Sequence, residues 1–132
     1  MEIMEKLIYK GFDSQIEKIP GLYWKPWIGR DFNNSEYRLL IVGESHYISA
    51  QNEDEYVKKY VESKNSQSLT RDCIYESAIL QDWFNNTYEN THKTLLRTNT
   101  FDREALWKNL AFYNFIPRTM DYRQLASRPT LS

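Results

Sequence analysis

Apolar positions along the chain fall into two kinds of pattern. Near the N-terminus Met4, Leu7 and Ile8 recur at i, i+3, i+4, which predicts a short helix over Met1 to Tyr9 that stops at Gly11. Tyr56, Val57, Tyr60 and Val61 give a second helix, capped by Asn52 or Asp54 and running to about Glu62. Thr70 or Asp72 opens a third, whose stripe of Ile74, Ala78, Leu80, Trp83 and Phe84 is imperfect. Asn85-Asn86 breaks it, and a fourth runs from Thr87 to Arg97. Asp102 is a good N-cap for a fifth, through Trp107.

The second pattern is the unbroken apolar run. Leu39-Leu40-Ile41-Val42 reads as the end of a strand over about Tyr37 to Val42, buried on both faces as in a parallel sheet. Leu110 to Ile116 is a second such strand, apolar except for Asn114 near its carboxyl end and ended by Pro117. Ile19-Pro20-Gly21 and Asn33-Asn34-Ser35 mark turns. Trp24 and Trp27, on either side of Pro26, read as core cover, because aromatic side chains bury so much area. Helices alternating with buried strands predict an α/β fold: three-layer α/β/α around a short parallel sheet. At 132 residues, one domain over 1–132 is expected. Two strands make a thin sheet, so either a second copy completes it as a homodimer, or helices cover its edges, or the chain is the front of a longer protein.

Composition narrows this picture. The longest apolar runs fall far short of the roughly 20 residues of a membrane span. No signal-peptide core stands at the N-terminus, and a single cysteine, Cys73, suits a reducing compartment, so a cytoplasmic, membrane-free protein is expected. The net charge of −1 exerts no global pull on nucleic acid. Its distribution is uneven. Residues 90–132 carry 7 Lys/Arg against 3 Asp/Glu, including Arg103, Arg118, Arg123 and Arg128. Arg118, Arg123 and Arg128 are candidates for phosphate contact, against the plainer reading of a solvated surface.

The candidate chemistry follows the first strand. Gly43 permits a sharp turn, and Glu44, Ser45, His46 and Tyr47 come next. In open α/β sheets ligands bind beyond the carboxyl ends of the strands, where parallel neighbours would set this loop beside Asn114. A carboxylate or hydroxyl to orient water, a Tyr wall and an amide suit a flat polar ring such as a nucleobase. Asn114 could equally bridge backbone. Two histidines and one cysteine without zinc spacing support no metal site, and no cofactor is expected. Ser45 and His46 are chain neighbours that point apart, so a Ser45 nucleophile would need His92 close in space.

The segment Leu39-Leu40-Ile41-Val42-Gly43-Glu44-Ser45-His46-Tyr47, followed by Trp107-Lys108-Asn109-Leu110-Ala111-Phe112-Tyr113-Asn114-Phe115, resembles the front half of the uracil-DNA glycosylase-like superfamily. Trp24-Lys25-Pro26-Trp27-Ile28-Gly29 and Arg128-Pro129-Thr130 are also similar to its bacterial members of poorly known role. The resemblance implies a nucleobase- or DNA-binding protein, with DNA or a free nucleobase or nucleotide as partner and hydrolysis of an N-glycosidic bond, as in DNA repair, as its activity. It assigns water activation to Glu44 or Ser45, the pocket wall to Tyr47 and base reading to Asn114, with Gly43 and His46 beside them. The best-known branch has Asp where this chain has Ser45, so Glu44 would take over catalysis. The superfamily's later strands and late His loop have no counterpart before Ser132. A catalytically inactive relative that binds nucleic acid or protein is the alternative.

Overall fold

A computed structural model describes residues 2–96, 102–116 and 119–121. The elements follow in order: α1 (Glu2–Leu7), α2 (Asp13–Ile16), β1 (Trp27–Ile28), β2 (Leu39–Gly43), β3 (Tyr47–Ile48), α3 (Glu53–Asn65), α4 (Leu69–Ile74), α5 (Asn86–Leu96), α6 (Arg103–Asn109), β4 (Leu110–Asn114) and β5 (Met120–Asp121). The fold is α/β. No helix among the described residues is long and apolar enough to cross a membrane.

Two caps sit where local chemistry put them, whereas α4 starts at Leu69 after Ser68, ahead of the Thr70 or Asp72 expected to open it. Asn52 Oδ1 accepts from Glu55 N–H at 2.9 Å and starts α3; Asp102 Oδ1 accepts from Ala105 N–H at 3.2 Å and starts α6. Of the apolar stripe expected on α3, Tyr56 and Tyr60 are half-buried, whereas Val57 and Val61 face solvent. The imperfect stripe after Thr70 has a structural cause. α4 gives way to a π-helical segment, Tyr75–Ile79, closed by Leu80 N–H on Tyr75 C=O at 2.9 Å. One extra residue in the turn shifts the helical phase, so Leu80 and Trp83 leave the line set by Ile74 and Ala78.

The main sheet is mixed, not wholly parallel. Its order is β1-β4-β2: β2 runs parallel to β4, with Leu39 opposite Leu110 and Gly43 opposite Asn114, and β1 runs antiparallel on the other side, with Trp27 opposite Phe112. β3 and β5 form a separate two-stranded parallel pair. Trp27 thus belongs to a strand in a segment read as irregular cover. Its residue type still decides its place: Trp27 and Trp107 are wholly buried and meet edge-on at 5.9 Å, with Tyr88 against Trp107 and Phe112 at 5.7 and 5.5 Å. Leu7, Ile74 and Leu110 complete this core.

β2 departs most from expectation. Little of it is covered: Ile41 packs on the core, while Leu39, Leu40 and Val42 are 42%, 54% and 57% exposed. β2 is the outer strand among those described, and Leu40 and Val42 border an open cleft shared with Leu22 and Tyr113.

Two buried polar networks tie distant segments together. The Arg71 guanidinium, 3% exposed, donates to both Asp13 carboxylate oxygens at 2.9 and 2.7 Å and to Pro26 C=O at 3.0 Å. His92, 1% exposed, accepts the Trp107 indole N–H at 2.8 Å through Nε2, and its Nδ1 faces Glu89 at 3.7 Å. Arg103 holds the same carboxylate at 2.7 and 3.1 Å. It is therefore spoken for by an internal ion pair rather than offered to a basic surface.

Candidate site at the carboxyl ends of β2 and β4

Gly43 and Asn114 are direct partners across the ladder. Beyond them Phe115 N–H donates to Gly43 C=O and Ile116 N–H to Glu44 C=O, both at 2.8 Å, so the two strand ends stay side by side as they leave the sheet. The glycine is required by proximity. A Cβ on Gly43 would lie 2.5 Å from Asn114 Oδ1 and 2.7 Å from Phe112 Cζ. Its absence lets Asn114 Oδ1 approach the backbone of β2.

A cavity of about 150 Å³ opens here. Ser45, His46, Tyr47 and Asn114 line it, together with Phe112 and Tyr88. None of the described residues lining it is an Asp, Glu, Lys or Arg. Asn114 is 4% exposed and lines the cavity. A buried primary amide carries two donors and a two-lone-pair acceptor that ask for partners.

The remaining members of the predicted group take distinct positions. Glu44 is exposed and is not part of the cavity lining; its carboxylate accepts from Tyr47 O–H at 3.0 Å, so it stands behind the tyrosine. Ser45 Oγ reaches His46 C=O at 3.3 Å. His46 Nε2 lies 2.9 Å from Thr70 Oγ1, and the ring meets Trp24 edge-on at 5.0 Å. Burial pulls the His46 pKa down to about 4, so the ring is neutral at pH 7. His92 has its accepting nitrogen committed to Trp107, which leaves the Ser45 nucleophile reading without a base there. Arg118, Arg123 and Arg128 lie outside the described residues.

Several lining residues escape sequence reasoning. Tyr88 reads as one more apolar position on a helix stripe, and Phe112 as strand core. Asn85 reads as a helix breaker, yet its Oδ1 accepts Tyr88 N–H at 3.2 Å and it sits on the cavity wall. Only the Asn-Asn pair ahead of an aromatic hints at this, as a cap. Cys73 also reaches the cavity, but burial, with Glu76 and Asp72 nearby, pushes its thiol up to about 12, which keeps it protonated and unreactive. No protein-family model, curated protein or solved structure matches this chain.

Proposed function

We propose that this chain binds a nucleobase, in DNA or free, in the cavity between the Gly43–Tyr47 loop and Asn114. One observation carries the reading: the Asn114 amide, on a residue 4% exposed, lines a cavity of about 150 Å³ that also has Tyr47, Tyr88 and Phe112 on its walls. A cavity of that volume admits a six-membered ring. An amide offers a donor and an acceptor together, the pattern a pyrimidine edge returns. The uncharged lining favours a neutral ring over a phosphate. The three-layer arrangement of the uracil-DNA glycosylase-like superfamily belongs to the same proposal, on the strength of the Leu39–Tyr47 and Trp107–Phe115 motifs.

Hydrolysis is the second reading, and the Glu44–Tyr47 hydrogen bond favours it. It sets a carboxylate one contact behind a residue of the cavity wall. In that reaction a water oxygen bonds to the sugar C1′, the C1′–N bond breaks with its electron pair going to the base, and Glu44 takes the proton of the water. Binding is the primary reading because Glu44 itself does not line the cavity.

Titration of the whole chain with uracil, thymine, cytosine and a uracil-containing single-stranded oligonucleotide, followed by NMR, tests the proposal. Saturable shifts that are lost in a folded Asn114→Ala variant are expected. No shift with any of these ligands at millimolar concentration would remove it. Base release from the same oligonucleotide, present in the parent and absent in Glu44→Gln, separates hydrolysis from binding alone.

A further inference from the structure

β4 occupies one side of β2, and no described strand occupies the other. The Phe115 N–H bond to Gly43 C=O tells which way the β2 backbone points. In an extended chain the N–H and C=O of one residue face the same side, and that side alternates from residue to residue. Leu39, Ile41 and Gly43 thus turn their backbone toward β4, and Leu40 and Val42 turn theirs to the open edge. The side chains of these two residues are more than half exposed. A row of backbone groups with no partner strand among the described residues, flanked by exposed apolar side chains, is a template for another strand.

The order of residues decides which strand. Arg38-Leu39-Leu40-Ile41-Val42-Gly43-Glu44 carries a cation at one end, an anion at the other and an apolar centre. Such a segment is complementary to itself when run antiparallel. A two-fold axis at Ile41 sets Leu40 opposite Val42 of a second copy, so the outward-turned residues of both chains meet as hydrogen-bonded pairs. The same axis brings Arg38 near Glu44 at both ends; both flank β2 rather than belong to it, and the Glu44 backbone turns to Ile116, so this contact is one of side chains alone. Neighbouring registers are worse. An axis at Leu40 sets Glu36 against Glu44, and an axis at Val42 sets Leu40 against Glu44. A shift of one residue sets outward-turned backbone against inward-turned backbone.

We infer that a second copy of this chain occupies the β2 edge in the Ile41-centred register, making one six-stranded sheet in the order β1-β4-β2-β2-β4-β1. Arg38 of each copy then stands beside Glu44 of the other, close to the cavity rim. Sedimentation of the intact chain from about 1 to 300 µM reads the assembly, since its population follows concentration by mass action. A concentration-dependent dimer is expected. Arg38→Glu weakens it by about tenfold or more, because an attraction becomes a repulsion at two symmetric positions. Adding Glu44→Arg to Arg38→Glu restores it. Register is read separately by oxidation: Ile41→Cys gives a disulfide-linked dimer faster than Leu40→Cys, because only position 41 faces its own copy. A chain that stays monomeric throughout the range overturns the inference. So does a dimer indifferent to Arg38→Glu, or one in which Leu40→Cys links faster. Base titration is unaffected by which of these results is found, so this inference and the nucleobase proposal fail independently.

Discussion

Replacing Gly43 by alanine tests whether the contact between the two strand ends is as tight as the geometry implies. The new methyl would lie 2.5 Å from Asn114 Oδ1 and 2.7 Å from Phe112 Cζ, where non-bonded carbon normally keeps about 3.5 Å or more. Neither neighbour yields freely. Phe112 is 1% exposed and its ring is held edge-on by Tyr88 at 5.5 Å, while Asn114 is 4% exposed. The strands must part, or the amide must swing into the cavity. Overpacking of this size costs about 1–3 kcal/mol. For a domain of this length that is a fall in Tm of about 4 °C per kcal/mol, read by circular dichroism. Base binding is lost along with it, since the amide is displaced. Gly21→Ala is the matched control: its φ of +80° strains any side chain, but nothing lies within 4 Å of the added methyl. It should lose only about 1 kcal/mol. A Gly43→Ala protein melting within a degree of the parent, with base binding intact, would refute the close approach.

Three further outcomes follow from the buried polar groups. His46 titrates near 6.5 unfolded and about 4 folded, so between those values the unfolded chain binds the extra proton. Stability conferred by neutral His46 is therefore complete above pH 6.5 and is lost as pH falls toward 4; urea midpoints should show that slope, and His46→Gln should flatten it. The hydrogen bond and charge of Arg71 hold the Asp13 carboxyl below its usual range, so that contribution is present above about pH 4 and lost on acidification below it. Asp13→Asn should remove this acid limb and lower stability by about 3 kcal/mol, because it strands a buried guanidinium, and chemical denaturation at pH 7 and pH 3.5 checks both. Trp107→Phe leaves His92 Nε2 without its donor, for a loss of about 2 kcal/mol beyond ring packing; the double variant with His92→Leu should lose less than the two singles summed.

What could be read from the chain divides by range. Asn52 and Asp102 were legible as caps because a cap is decided within four residues. The Leu110–Asn114 strand was legible from its apolar run, and the pairing of strand ends at 43 and 114 from the habit of parallel neighbours. β1 was not, since two residues have no period and their strand character comes from Phe112 and Ala111, far along the chain. Nor was the exposure of Leu40 and Val42. An apolar run reports that a face prefers cover, not that a neighbour supplies it. The partners of Arg71 and His92 were hidden for the same reason. The position of Glu44 behind Tyr47 rests on a three-residue turn whose side-chain directions no periodicity encodes.

The central strand of the sheet is also the last of its three strands to be synthesised, some 70 residues after β2. At about 5–20 residues per second, a nascent chain waits several seconds between making β2 and making the strand that supports it. During that interval Leu39 to Val42 has no sheet to join, and Asn114 does not yet exist to meet Gly43. Helices α3, α4 and α5 emerge meanwhile, their contacts being the more local ones. The cavity between residues 43–47 and Asn114 is thus a late event on the ribosome, and its strand edge is most in need of a chaperone before residue 114 appears.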